Sequence, residues 1–187
     1  MIHWNYLLAL EQDIIRVADY IELSEDNFNT YSVELLKLNL SIGSEIDVVL
    51  KLLCEAYSPD EKYSSIKDYK NCINQRIPGL IIESISIPRY NLEFKPFKEI
   101  DTVTSDGYKS PFWWQDYNRI KHHRNSDYQK ANLKNVLYSF AGLLLANLYL
   151  IVTLNQLKNI KDLYKHIHGS TKLFDIGEKY KMSMLIW

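Results

Sequence analysis

Only six glycines occur among 187 residues, and that scarcity removes a class of function at once. Neither G-x-G-x-x-G nor G-x-x-x-x-G-K-S/T is found, so the common loops that cradle nucleotide phosphates are missing. Cysteine is scarcer still. Cys54 and Cys72 have no CxxC spacing and read as reduced thiols within helices, not as a disulfide framework or a metal site. No Ser or Cys stands in a nucleophile elbow. Excess charge of one sign is also lacking: 22 Lys and Arg face 23 Asp and Glu, for a net charge of −1. No overall field then draws the chain to nucleic acid or anionic lipid, and any basic surface must be local. Residues 1–11 lack the basic start and small-residue cleavage site of a signal peptide, so the expected location is cytoplasmic.

What is present is apolar residue in quantity. A hydrophobic fraction of 47% is ample for a core, and the length suits a single domain over residues 1–187. Residues 136–153 form the longest apolar run, 18 residues without a charge. Ser139, Gly142 and Asn147 interrupt it, so it is expected as the central helix of a bundle, a membrane span in a small membrane-associated protein being the weaker alternative. Apolar residues at steps of three and four predict helices over 4–23, 32–57 and about 65–76. Pro78-Gly79 then breaks the pattern, and alternation over 81–87 and 92–96, joined near 88–91, predicts a β-hairpin. Residues 101–111 read as polar loop. Ser110 is expected to cap a helix that ends near Arg124, and Ser126 or Asp127 to start a long last helix to about 158. A shorter helix over 159–168 and an apolar tail to Trp187 complete the reading. The fold class is therefore mainly α: a helical bundle with a small β-hairpin insertion near 80–97.

Chemistry concentrates in residues 113–125, where Trp113, Trp114 and Tyr117 precede Arg119, Lys121, His122, His123 and Arg124. On a helix Asn118, Lys121, His122 and Asn125 share a stripe. Arg and Lys there suit an anion such as a phosphodiester, and a His titrating near neutrality suits general acid–base work. The competing structural reading makes the aromatics core anchors and the bases a solvated face. On the second helix Leu36, Leu40, Gly43, Asp47, Leu50, Cys54 and Tyr57 alternate steps of four and three, which places Asp47 in an apolar seam. A carboxylate there needs a cation, so Asp47, with Glu45 beside it, is expected to pair with Lys121, Arg124 or a His. Asn147 in the last helix is expected to fix register in the same way. Adjacent His122 and His123 point to different faces and do not chelate, so no metal or cofactor is expected.

The segment Trp113-Trp114-x-x-Tyr117-Asn118-x-x-Lys121-His122-x-Arg124, with Arg124-Asn125 leading into the last long helix, resembles the HEPN superfamily of helical bundles from bacterial toxin–antitoxin, phage-defence and RNA-processing systems. The resemblance covers about residues 32–57 and 111–157. It implies a HEPN-like domain that binds RNA or a nucleotide, as a metal-independent endoribonuclease or as a non-catalytic interaction module, in a homodimer or with a partner protein. HEPN ribonucleases place a His four to six residues after the Arg, but Tyr128, Gln129, Lys130 and Ala131 follow here. The imidazole would then have to come from His122 or His123. Under that reading His122, Arg124 and Asp47 form the catalytic set, and Asn118, Lys121, Asn125 and Glu45 hold phosphate or orient the cations.

Overall fold

Ser32 and Asn132 frame the fold, because each caps one of the two helices at its centre. The Ser32 hydroxyl accepts the Leu35 N–H at 3.2 Å and opens α2, Val33–Tyr57. The Asn132 side chain accepts the Asn135 N–H at 3.0 Å and opens α7, Leu133–Leu154. Such caps satisfy donors that the first helical turn leaves orphaned. Tyr31 pairs with Asn132 across a bridge, and the Leu133 N–H donates to the Thr30 carbonyl at 2.9 Å. The two helices thus start side by side and run parallel. Farther along, a Cβ placed on Gly142 would lie 3.2 Å from Ile46 and 3.3 Å from Trp113.

This computed structural model describes residues 2–105, 107–156 and 170–175. Around the central pair stand α1 (Ile2–Ala18), α3 (Ile66–Arg76), the one-turn α4 (Gly79–Ile82), α5 (Phe112–His122) and the one-turn α6 (Arg124–Asp127). The mainly helical bundle read from the sequence is what forms. The expected helix over 159–168 and the apolar end over 176–187 lie outside the described residues.

Helix α7 is buried almost all round, as its uniform apolarity requires. It is long and apolar enough to cross a membrane, and most of its side chains are covered by the rest of the protein. Asn147 does not reach across to a neighbour: its amide donates to the Leu143 carbonyl of its own helix at 3.0 Å. The register role expected of it is thus replaced by a bond to the preceding turn, as polar side chains within helices often make.

The hairpin near 80–97 is present, as β1 (Ile85–Ile87) antiparallel to β2 (Leu92–Phe94). Ile85, Ile87, Leu92 and Phe94 face inward, and Asn91 turns the chain in the left-handed region at φ 52°. A second, smaller hairpin, β3 (Val103–Thr104) with β4 (Gly107–Tyr108), occupies the stretch read as polar loop, with Gly107 at φ 97°. Two further boundaries differ. Helix α1 stops at Ala18 instead of continuing to Leu23, and α7 starts at Leu133, after α6 and a 3-10 turn at Tyr128–Lys130. The Ser110 side chain does not cap α5; Glu99 does, accepting the Phe112 N–H at 2.5 Å while holding Lys109 at 2.6 Å.

Residues 170–175 return to the body at three places. Ser86 and Asp175 exchange backbone hydrogen bonds of 3.2 and 2.7 Å beside β1. The fully buried carboxylate of Glu11, on α1, accepts the successive N–H groups of Lys172, Leu173 and Phe174 at 3.0 to 3.2 Å. Such a run of amides is a ready anion nest. Phe174 follows into the core, 4.6 Å from the Phe140 ring.

Candidate functional site

Helix α5 divides lengthwise. Trp113, Trp114, Tyr117 and Ile120 recur at helical spacing and are buried, while Gln115, Arg119, Lys121 and His122 are exposed. The aromatic face is held by edge-on rings: Phe97 to Trp113 at 5.9 Å, Tyr69 to Trp114 at 6.3 Å and Trp114 to Tyr117 at 5.8 Å. The Trp113 indole donates to the Pro96 carbonyl at 2.8 Å, so its one polar atom is satisfied in the core. Gly43 of α2 lies under Tyr117, where an added Cβ would be 2.2 Å from the ring. That close approach sets the depth at which α5 sits.

At the other end α5 stops at His122, and His123 turns the chain. The His123 carbonyl accepts the N–H groups of Ser126 and Asp127 at 3.1 and 3.0 Å, starting α6. Below this turn lies a polar network absent from the sequence reading. Lys130 meets Asp116 at 2.7 Å, and the Asn135 amide donates to Asp116 at 3.0 Å and to the Lys130 carbonyl at 2.8 Å. Asn135 is buried and both ionic partners are largely covered, so the network ties α5, the 3-10 turn and α7 together. Nothing in the spacing announces it, because Asp116 and Lys130 are brought together only by the intervening turn. The weak clue is Asp116 itself, a carboxylate flanking a buried aromatic face.

Arg119, Lys121, His122, His123, Arg124 and Asn125 are all exposed on this pinned end. Among the described residues none of the cations is in an ion pair; Lys121 lies 5.7 Å over the Tyr117 ring. Their place at the C-terminus of α5 is electrostatically favourable, since the helix dipole is negative there. Asn118 is half-buried on the same helix. The expected stripe is broken at its far end, because Asn125 belongs to α6 and not to α5.

The two carboxylates assigned to the site lie elsewhere. Helix α2 buries Leu35, Leu38, Ile42, Ile46, Val49 and Leu53, a strip one position around from the regular seam of the sequence, so Asp47 falls on an exposed side. Its carboxylate meets the Tyr69 hydroxyl, which burial first and then Asp47 push above the ordinary phenol range. Tyr69 in turn packs on Trp114. Asp47 is therefore linked, through Tyr69, to the first turn of α5 and not to its cationic end. Glu45 is held by the His3 imidazole at 2.6 Å, at the contact between α1 and α2. The structure brings His122 and Arg124 to one edge with Lys121 and Asn125, and it does not bring Asp47 or Glu45 to them.

Such an exposed edge can neutralise several phosphates at once and offers two imidazoles. Among the described residues no three His, Cys, Asp or Glu side chains gather as a metal site would need. A groove of about 530 Å³ opens between α1 and α2, with Leu10, Val17, Ile21 and Leu38 in its lining. Comparison with family models, with curated proteins and with solved structures returns no match.

Proposed function

We propose that this chain is a HEPN-like RNA-binding protein that holds single-stranded RNA by its phosphates across the cationic end of α5. The observation that carries the reading is a set of five exposed cationic or titratable side chains, Arg119 to Arg124, without an ion pair among the described residues, on a helix end tied down by Asp116, Lys130 and Asn135. With a net charge of −1 over the chain, only such a local patch can attract a polyanion. Arg119 and Arg124 can grip phosphate bidentately, Lys121 as a point charge. In the cleaving version His122 is the general acid–base group and Arg124 and Lys121 hold the phosphate, without help from Asp47 or Glu45 of the same chain.

A salt titration with a labelled single-stranded RNA tests this. Three neutralised phosphates give a slope of log K against log salt near −2, at roughly −0.7 for each. Replacing Arg119, Lys121 and Arg124 together by Ser is expected to flatten the slope while leaving the fold intact. An unchanged slope would end the proposal. Cleavage in the presence of a chelator, lost in both His122→Ala and Arg124→Ala, selects the endoribonuclease version; binding without cleavage selects the non-catalytic one.

The groove between α1 and α2 favours a second reading, a module that pairs with another copy of the chain. Tyr20 is 89% exposed beside the apolar lining. Sedimentation of the wild type and of Tyr20→Glu distinguishes it, with a dimer expected only for the wild type.

A further inference from the structure

Tyr31 stands outside the core, just before the Ser32 cap of α2, and is 51% exposed. Its backbone bridges Asn132 at the start of α7, and the neighbouring Thr30 carbonyl accepts the Leu133 N–H at 2.9 Å. Main-chain atoms make that bridge, and it does not call for an aromatic side chain. The Tyr31 ring instead meets Tyr128, with centroids 5.6 Å apart and an interplanar angle of 84°. In an edge-on pair each ring keeps at least one face clear of the other.

Tyr128 ties this aromatic pair to the cationic edge. It opens the 3-10 turn Tyr128–Lys130, four residues after Arg124, so their Cα atoms are at most about 14 Å apart. Lys130 of the same turn is held by Asp116 of α5 at 2.7 Å, and its carbonyl accepts from Asn135 of α7 at 2.8 Å. The two rings and the exposed side chains from Arg119 to Arg124 therefore share one frame. Tyr20 is barer still, at 89% exposed, but it lies by the groove between α1 and α2. The cations of that groove, Arg16 and Lys37, are each paired with a carboxylate.

An unpaired nucleic-acid strand uses both kinds of surface. Cations neutralise its phosphates without regard to the bases, and an exposed aromatic face takes a base without regard to charge. In a duplex the bases are already stacked on one another, so only a single strand can turn one out onto a ring.

We propose that Tyr31 is a stacking platform for one base of a single-stranded RNA whose phosphates lie on the cationic end of α5. The inference rests on that phosphate-binding reading and adds where an unpaired base goes. Tyr128 is a positioning residue that holds the Tyr31 ring from its side. The strand runs from Arg124 toward the paired starts of α2 and α7, with its backbone on the cations and a base on the ring. Every base has a π-face, so the platform selects single strand over duplex and not one base over another.

The test measures binding of the native full chain to a labelled single-stranded oligoadenylate and to an abasic strand of equal length. Tyr31→Leu is expected to weaken the oligoadenylate about tenfold, with the salt slope unchanged and the abasic strand bound as before. Tyr31→Phe keeps the ring and is expected to bind as the wild type does. An RNA carrying 5-iodouridine is expected to crosslink to Tyr31 on irradiation. Equal affinity of wild type and Tyr31→Leu for the oligoadenylate would overturn the proposal and leave the phosphate reading standing. So would an equal loss on both strands, which marks the ring as a structural support only. A wild type that binds neither strand defeats the phosphate reading and this inference together.

Discussion

Replacing Glu11 by Ala should release residues 170–175 from the body of the protein. The wild-type carboxylate is fully buried and accepts the N–H groups of Lys172, Leu173 and Phe174 at 3.0 to 3.2 Å. Hydrogen bonds to a charged acceptor contribute roughly 1.5–3 kcal/mol each, which taken alone would sum to a large loss. Two effects limit it. Burying the carboxylate already costs part of that gain. The segment can also lift away and rehydrate its amides, at the expense of exposing Phe174, whose burial is worth about 1.5–3 kcal/mol. The smaller route sets the outcome, so the expected loss in Glu11→Ala is about 2–4 kcal/mol. Glu11→Gln keeps one carbonyl oxygen for the nest and should lose about half as much. Urea unfolding of the three chains measures the loss, and hydrogen exchange at residues 172–174 locates it. A loss below about 0.5 kcal/mol in Glu11→Ala, or unchanged protection of those amides, would refute the reasoning.

Two further predictions concern α2 and α3. Gly43→Ala brings a Cβ to 2.2 Å from the Tyr117 ring, so overpacking of about 1–3 kcal/mol should outweigh the roughly 1 kcal/mol helix preference of Ala over Gly. A lower urea midpoint at unchanged m, largely restored by adding Tyr117→Leu, is the expected result, and a stabilised Gly43→Ala would contradict the α2–α5 contact. Asp68 closes the capping box of α3, and the Ser64 N–H, with Ser65 and both hydroxyls, lowers its carboxyl below the ordinary value of 3.8. Its contribution to stability is then complete above that value and disappears as pH falls through the lower, folded one. The difference in unfolding midpoint between wild type and Asp68→Asn should be constant from neutral pH to about 5 and shrink in more acid solution.

Helices with a cap at one end and a breaker at the other were legible from sequence. Ser32 and Ser58-Pro59 bracket α2, and of Ser64 and Ser65 it is Ser65 that opens α3. The start of α7 was not, because Ser126, Asp127 and Asn132 are equally good local caps. The choice falls to Asn132 through its bridge to Tyr31, about a hundred residues away. The buried face of α2 was misread for a different reason. Apolar residues occupy so many of its positions that several regular seams can be drawn, and packing against four other helices decides among them. For the candidate site, the density of chemistry over 113–125 and its division into aromatic and cationic sides could be read directly. Its supports could not: Asp116, Lys130 and Asn135 are brought together only by the completed fold.

The parallel course of α2 and α7 also bears on how the chain reaches its native state. Parallel neighbours cannot be joined by a short turn, so some 75 residues, from Ser58 to Asn132, must travel back along the bundle before the central pair can meet. Folding rates fall as the contacts that matter become more distant in sequence, since loop-closure entropy is lost before those contacts form. This helical protein should accordingly refold more slowly than bundles whose helices pack on their sequence neighbours. During synthesis the part of α2 that faces α7 stays uncovered until α7 has left the ribosome, which makes that interval the one in which a chaperone has most to protect.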